Sequence, residues 1–87
     1  MQLSLYTMRK TVYEGETSRI TLPTVMGEVT ILDNHEPYVT MISEGVINYE
    51  ANKVVGPNTV KEEGHLNVKG GFIEVRPGNE VRILADE

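Results

Sequence analysis

The sequence predicts an all-β fold, a flattened β-sandwich or barrel of about 8–10 short, mostly antiparallel strands. Three observations carry that prediction. Apolar and polar residues alternate with a period of two, as in Leu3, Leu5 and Thr7 against Ser4, Tyr6 and Met8. Glycine, proline and asparagine punctuate the chain at short intervals. No stretch of about ten residues or more keeps a helical period with capping residues at its ends.

Leu3 to Thr7 opens the sheet, and Arg9-Lys10 lead out of it. Thr11 to Glu14 reads as a short second strand, with Gly15 as the place to turn. Thr17 to Leu22 follows, with Ile20 and Leu22 inward. Pro23 is expected to end pairing there, because it has no N–H for the ladder. Met26-Gly27 turns into Glu28 to Leu32, which sets Val29 and Ile31 on one face and Glu28 and Thr30 on the other. A polar loop, Asp33-Asn34-His35-Glu36, is closed by Pro37. Tyr38 to Ile42 and Val46 to Tyr49 are strands separated by the turn Ser43-Glu44-Gly45.

From Glu50 to Glu63 the expectation is a hairpin with an extended, mobile end. Its strands would be Lys53-Val54-Val55 and Thr59-Val60, with Asn52, Gly56-Pro57-Asn58 and Lys61-Glu62-Glu63-Gly64 as turn and loop. Leu66 to Val68 is a strand and Gly70-Gly71 a bend. The last hairpin can be registered directly. With Pro77-Gly78-Asn79 as its loop, Arg76 faces Glu80, Val75 faces Val81, Glu74 faces Arg82, Ile73 faces Ile83 and Phe72 faces Leu84. Opposite charges then pair on one face and apolar residues on the other, each pair contributing roughly 0.2–1 kcal/mol. A one-residue slip would set Val75 against Arg82 and mix the faces.

Eighty-seven residues make a single domain, 1–87. A chain this short buries roughly 60–65% of its unfolded surface, so its core is thin. The chain has no cysteine, hence no disulfide, thiolate metal site or thiol nucleophile. Thirteen acids against eight bases give a net charge of −5, without the basic stripe of a nucleic-acid binder. No apolar run approaches the ~18–20 residues of a membrane span. The first residues lack the pattern of a signal peptide, which points to a soluble, untargeted protein.

Chemistry concentrates in Gly27 to Pro37. His35 lies beside Asp33 and Glu36, as a base beside an orienting carboxylate would. No nucleophile motif accompanies it, and the plainer reading is a loop histidine making ordinary hydrogen bonds or an intersubunit contact. His35 and His65 have no ligand spacing for a metal, and Asp33-Asn34-His35-Glu36 is not a calcium loop. Gly70-Gly71 and Pro77-Gly78 open no helix that could cradle a phosphate. Four tyrosines and Phe72 read as core and core-edge residues; Tyr38, Met41 and Met26 are candidates for a protein–protein face. From these residues alone the chain is a β-sandwich binding or assembly subunit with no catalytic residues, cofactor or metal.

The chain also resembles the N-terminal β-sandwich domain of the epsilon subunit of F-type ATP synthases, called delta in mitochondria. The matching pieces keep their order along almost the whole chain. They include Tyr13-Glu14-Gly15, Ile20-Thr21-Leu22-Pro23, Gly27 to Leu32, and His35-Glu36-Pro37-Tyr38-Val39-Thr40. Gly45-Val46-Ile47, Gly70 to Val75 and Val81 to Glu87 continue the series. The resemblance implies a rotor part at the foot of the central stalk, without catalysis of its own. Its partners would be the gamma subunit and the polar loops of the c-ring. Its place would be peripheral, on the cytoplasmic side of the energy-transducing (bacterial inner) membrane. By position, Glu28 matches the acidic strand residue that meets the c-ring loops, and Thr7, His35 and Thr40 match positions near gamma.

Two departures stand out. Asp33-Asn34 replaces the Pro-Gly that often precedes the histidine, and because asparagine tolerates a left-handed turn the loop is expected to survive. The segment from Gly45 to Gly70 is longer than in many members, so contacts of Glu50 to Glu63 cannot be carried over. Most members continue into an inhibitory two-helix hairpin; a chain ending at Glu87 implies a coupling subunit without it. A free-standing module binding a small ligand or peptide is the alternative, and it would need a concave apolar pocket.

Overall fold

The computed structural model describes residues 1–87. It contains eight strands and no helix: β1 (Gln2–Thr7), β2 (Thr11–Thr24), β3 (Gly27–Leu32), β4 (Tyr38–Ile42), β5 (Gly45–Val55), β6 (Asn58–Val68), β7 (Gly70–Arg76) and β8 (Glu80–Asp86). The strands follow the order β1-β8-β7-β4-β2-β5-β6, with β3 paired to β2. β1 also pairs with β2, so the sheet folds back on itself around the core. The domain measures 40 × 27 × 19 Å, a flattened shape in keeping with the predicted class.

Every pairing is antiparallel except β1 with β8, which run parallel in the register Leu3–Val81, Leu5–Ile83 and Thr7–Ala85. The period-two pattern is realised directly. Leu3 and Leu5 of β1, Ile20 and Leu22 of β2, Ile31 of β3, Ile47 of β5, Ile73 of β7 and Ile83 of β8 are all fully buried. At ~25 cal/mol per Å² of apolar surface removed from water, each such side chain contributes about 1.5–3 kcal/mol. One row across four strands, Leu5–Ile83–Ile73–Thr40, runs along the inner face.

The β7–β8 hairpin has the register expected from its residues, from Phe72–Leu84 to Arg76–Glu80. Asn79 takes the left-handed conformation its loop requires, at φ 60°. The Glu50–Glu63 region is also a hairpin, with Gly56-Pro57 as a two-residue turn between Val55 and Asn58. Its strands are longer than expected, because Asn52 and Lys61 to Gly64 are paired residues of the ladder. All side chains from Lys53 to Glu63 are exposed, so the tip of this hairpin projects beyond the core as an arm.

Three expectations are corrected. Gly70-Gly71 is not a bend; both residues open β7 in register with Asp86 and Ala85, and the bend falls at Lys69. Gly15 is not a turn; it pairs with Leu3 inside one continuous β2, whose first half joins β1 while its second half joins β3 and β5. Pro23 does not end pairing, since β2 continues to Thr24 and Pro23 faces Glu28. Its carbonyl accepts the Ser43 N–H at 3.1 Å, away from β3. In a strand the N–H and C=O of one residue point the same way, so β3 never needed the N–H that proline lacks.

Candidate functional site

Glu28 stands at one end of β3, one residue beyond a tight turn. Val25 and Met26 form the two-residue loop, and Thr24 builds it. The Thr24 hydroxyl donates to the Gly27 carbonyl at 2.7 Å and accepts the Met26 N–H at 3.1 Å. The Val25 N–H donates to the Met41 carbonyl at 3.2 Å, and the Ser43 hydroxyl to the Thr24 carbonyl at 3.3 Å. The turn is therefore fixed to the end of β4. Glu28 faces outward, exposed, and joins none of the ion pairs of the domain.

His35 lies beyond the other end of β3. The His35 N–H closes a turn onto the Leu32 carbonyl at 3.3 Å, with Asn34 left-handed at φ 61°. The loop survives the replacement of Pro-Gly for the reason expected of asparagine. Asn79 then ties it down: its side-chain oxygen accepts the Asn34 N–H at 2.7 Å, and its amide N–H₂ donates to Asp33 at 3.3 Å. The Met1 α-ammonium donates to Asp33 at 2.5 Å, to Glu16 at 3.3 Å and to the Thr17 carbonyl at 2.9 Å. Burial works to lower the pKa of that ammonium, but its bonds to Asp33 and Glu16 outweigh this and raise it. The same ammonium, with the Asn79 amide, holds the Asp33 carboxyl below its usual range.

This arrangement removes a catalytic corner. His35 Nδ1 bonds the Glu36 backbone carbonyl at 2.7 Å, so neither carboxylate orients the ring. Asp33 is committed to the N-terminus. No cluster of histidine and acidic side chains of a size to hold a metal ion occurs. His65 bonds Asn48 on the outer face of β5–β6.

The remaining two positions face inward. Thr7 shares the face of Leu3 and Leu5 and is 9% exposed. Its hydroxyl accepts the Arg9 and Lys10 N–H groups, both at 3.3 Å, and caps the β1–β2 turn. Thr40, half-buried, pairs with buried Ile73 and shares the face of Ile42. Glu28 lies at the same end of the sandwich as Thr7, which the in-register series Thr7–Ala85–Gly71–Ile42–Thr24–Gly27 crosses. His35 lies at the opposite end. The four positions do not form one patch.

The outward face of β1-β8-β7-β4 carries a feature that the sequence reading missed. Tyr6, Leu84, Phe72 and Met41 stand in register across it as one apolar row. The next row, Ser4–Arg82–Glu74–Val39, is polar over three of its four positions. Phe72 and Leu84 thus share the face of Glu74 and Arg82, not that of Ile73 and Val75 as the apolar-face expectation had it. Strict alternation from Ile73 would have revealed this. Tyr38, read both as a core-edge residue and as a candidate for a protein–protein face, is half-buried against the core, as the first of these readings has it. Met8 and Met26, at 87% and 85% exposed, and Met41 extend the apolar surface along this end. Met8, Met41, Phe72 and Leu84 line a shallow depression of about 260 Å³. A cleft of about 450 Å³ beside it, between Thr7-Met8-Arg9 and Ala85-Asp86-Glu87, is lined mainly by polar groups.

The sequence profile of the family described as "ATP synthase, Delta/Epsilon chain, beta-sandwich domain" matches residues 1–87. The chain belongs to this family. Among its relatives, the ATP synthase epsilon chain of Herpetosiphon aurantiacus is 37% identical over 86 residues, covering 99% of this chain and 57% of that one. The ATP synthase epsilon chain of Neisseria meningitidis is 34% identical, covering 99% and 56%. This delta/epsilon β-sandwich thus spans just over half the length of the curated relatives it matches. Its fold matches a chain of the Euglena gracilis mitochondrial ATP synthase, in an OSCP/F1/c-ring structure, with a TM-score of 0.80 and 26% identity. That match covers 98% of this chain and 49% of the other. A chain of the Tetrahymena thermophila mitochondrial ATP synthase central stalk and c-ring has the same TM-score at 21% identity, covering 100% and 63%, which speaks for the fold. No helix is long and apolar enough to cross a membrane.

Proposed function

We propose that this delta/epsilon β-sandwich is a non-catalytic rotor component of the central stalk of a proton-translocating F-type ATP synthase. It links the gamma subunit to the c-ring, couples proton flow to ATP synthesis, and works at the cytoplasmic side of the membrane as a peripheral part. The observation that carries this reading is the family match across all 87 residues, together with relatives named as epsilon chains. Glu28 is the proposed contact to the polar loops of the c-ring, and Thr7, His35 and Thr40 mark the gamma side. An exposed, unpaired acid on a braced strand end suits a contact with basic or amide groups, and its strength falls with salt. Glu28 and His35 lie at opposite ends of β3, so these two proposed contacts use separate surfaces. Thr7, however, lies at the Glu28 end, and a gamma contact there would run along the length of the sandwich.

Cysteine cross-linking in the assembled complex tests the reading. A cysteine at Glu28 should reach a c-ring loop, and one at His35 should reach gamma. Absence of a cross-link from both positions, with the chain running alone in gel filtration and pull-down, would instead favour a free-standing binding module.

A further inference from the structure

We propose that the open edge of β6 pairs antiparallel with the β6 edge of a second copy of this chain. The proposal goes beyond the rotor reading and stands independently of it. Its first ground is the hairpin itself. A two-residue turn makes its flanking residues, here Val55 and Asn58, a hydrogen-bonded pair, and the ladder alternates from there. Val60, Glu62, Gly64 and Leu66 therefore turn their N–H and C=O groups to β5. Thr59, Lys61, Glu63, His65 and Asn67 turn theirs to the other side, where no strand lies. No turn or loop group bonds to them there. The β5–β6 arm makes this edge long, since β6 runs for 11 residues. β3 is also open along one side, but it has 6 residues, and its last carbonyl is taken by the His35 N–H.

The side chains select both the partner and the register. Charged residues along an edge ordinarily keep other strands away; here they match their own copy. A two-fold axis through Gly64 sets Lys61 against Asn67 of the second copy and Glu63 against its His65, and the reverse. The backbone groups of these positions face the edge, so the same pairs exchange the inter-strand hydrogen bonds. Between them Glu62 meets Leu66, and exposed Val60 meets Val68. No like charges face each other. His65 Nδ1 is bonded to Asn48, which leaves Nε2 for the Glu63 carboxylate of the second copy. Gly64 keeps the axis free of side chains, because the Tyr49 ring of its own copy occupies the space a Cβ there would need. Neighbouring registers are worse. Sliding by two residues one way sets Glu63 on Glu63, and the other way sets His65 on His65. Sliding by one residue reverses the faces.

The test uses the purified chain, with a urea titration to establish that each variant is folded. An edge contact is small and its dimer weak, so sedimentation velocity should show a monomer–dimer equilibrium between about 10 and about 500 µM. His65→Glu sets carboxylates face to face and should weaken association about tenfold or more. Lys61→Pro removes an N–H that faces the edge and not β5, so it should abolish the dimer and spare the fold. In a second readout, Lys61→Cys/Asn67→Cys should give a disulfide-linked dimer, since bonded pairs hold their Cα atoms about 5.5 Å apart. Within one chain the two positions lie about 20 Å apart along β6, and neither single variant should cross-link. A monomer throughout would overturn the proposal and leave the rotor reading untouched. A dimer indifferent to His65→Glu and Lys61→Pro would place the contact on another surface and overturn it as well. A dimer weakened by both, yet not bridged by the cysteine pair, would overturn the register.

Discussion

The side-chain oxygen of Asn79 accepts the backbone N–H of Asn34 at 2.7 Å, and both asparagines are left-handed, at φ 60° and 61°. One bond thus joins the loop that carries His35 to the β7–β8 turn, across 45 positions of sequence. Asn79→Ala removes that bond, the bond to Asp33 and the residue type suited to its backbone. The left-handed conformation alone disfavours alanine by about 1–2 kcal/mol, and a lost hydrogen bond adds about 1 kcal/mol. Urea denaturation should show a loss of about 2–3 kcal/mol for Asn79→Ala. Asn79→Gly should recover the conformational part and lose only the bonds. Equal losses in the two variants would refute this division.

The Met1–Asp33 pair predicts a window of pH. The raised pKa of the ammonium means its contribution is complete below its ordinary value of 8.0 and is lost as pH rises through the folded-state value. The lowered pKa of Asp33 means its contribution is present above its ordinary 3.8 and is lost as pH falls through the folded-state value. Both are satisfied together only between about pH 4 and 8. In the chain beginning at Met1, Asp33→Asn should lower the melting temperature most within that window, and the difference should shrink on either side. A difference independent of pH would show that the charge is not the cause.

Much of this fold is legible locally, and what is not has a common cause. The β7–β8 register follows from charges and apolar residues that lie close in sequence, and Asn34 announces its own left-handed turn. Gly15 and Pro23 mislead because tertiary pairing overrides them: β2 is held by β1, β3 and β5 along its length. The parallel β1–β8 pair joins the two ends of the chain, which no local pattern encodes. Asp33 reads as a partner for the adjacent His35, yet its partner is the N-terminus 32 positions away. Glu28 was legible as an exposed strand acid. The inward turn of Thr7 and Thr40 was also implied by alternation, but positions carried over from a resemblance carry no side-chain direction.

Two glycines should behave differently for a stated reason. Gly71 has φ 136°, and a Cβ there would lie 2.3 Å from the Leu84 carbonyl oxygen and 2.9 Å from the Ala85 Cα. Those atoms are backbone of the paired strand and cannot turn aside. Gly78, at φ 87°, has nothing within 4 Å of such a Cβ. Gly71→Ala should therefore cost about 3 kcal/mol or more, combining steric overlap with strain. Gly78→Ala should cost about 1–2 kcal/mol from conformation alone. Urea midpoints of the two variants measure the difference, and similar midpoints would contradict the close strand approach at Gly71.

The β5–β6 arm should be separable from the core. Lys53 and Val60 face each other in register, so replacing Val54 to Thr59 with Asn-Gly rebuilds a two-residue hairpin without shifting the strands below it. The removed residues are all exposed, and Val54 and Val55 pack against no core side chain. The Lys53–Glu62 ion pair at 3.3 Å and the Arg19–Glu63 pair at 2.6 Å both lie outside the excised segment. Stability in urea should change by less than about 1 kcal/mol. A loss above about 2 kcal/mol would mean that the arm supports the sandwich and is not a free projection. With folding preserved, the same variant isolates what the arm does in an assembled complex, because Glu28, His35 and the apolar row from Tyr6 to Met41 are left in place.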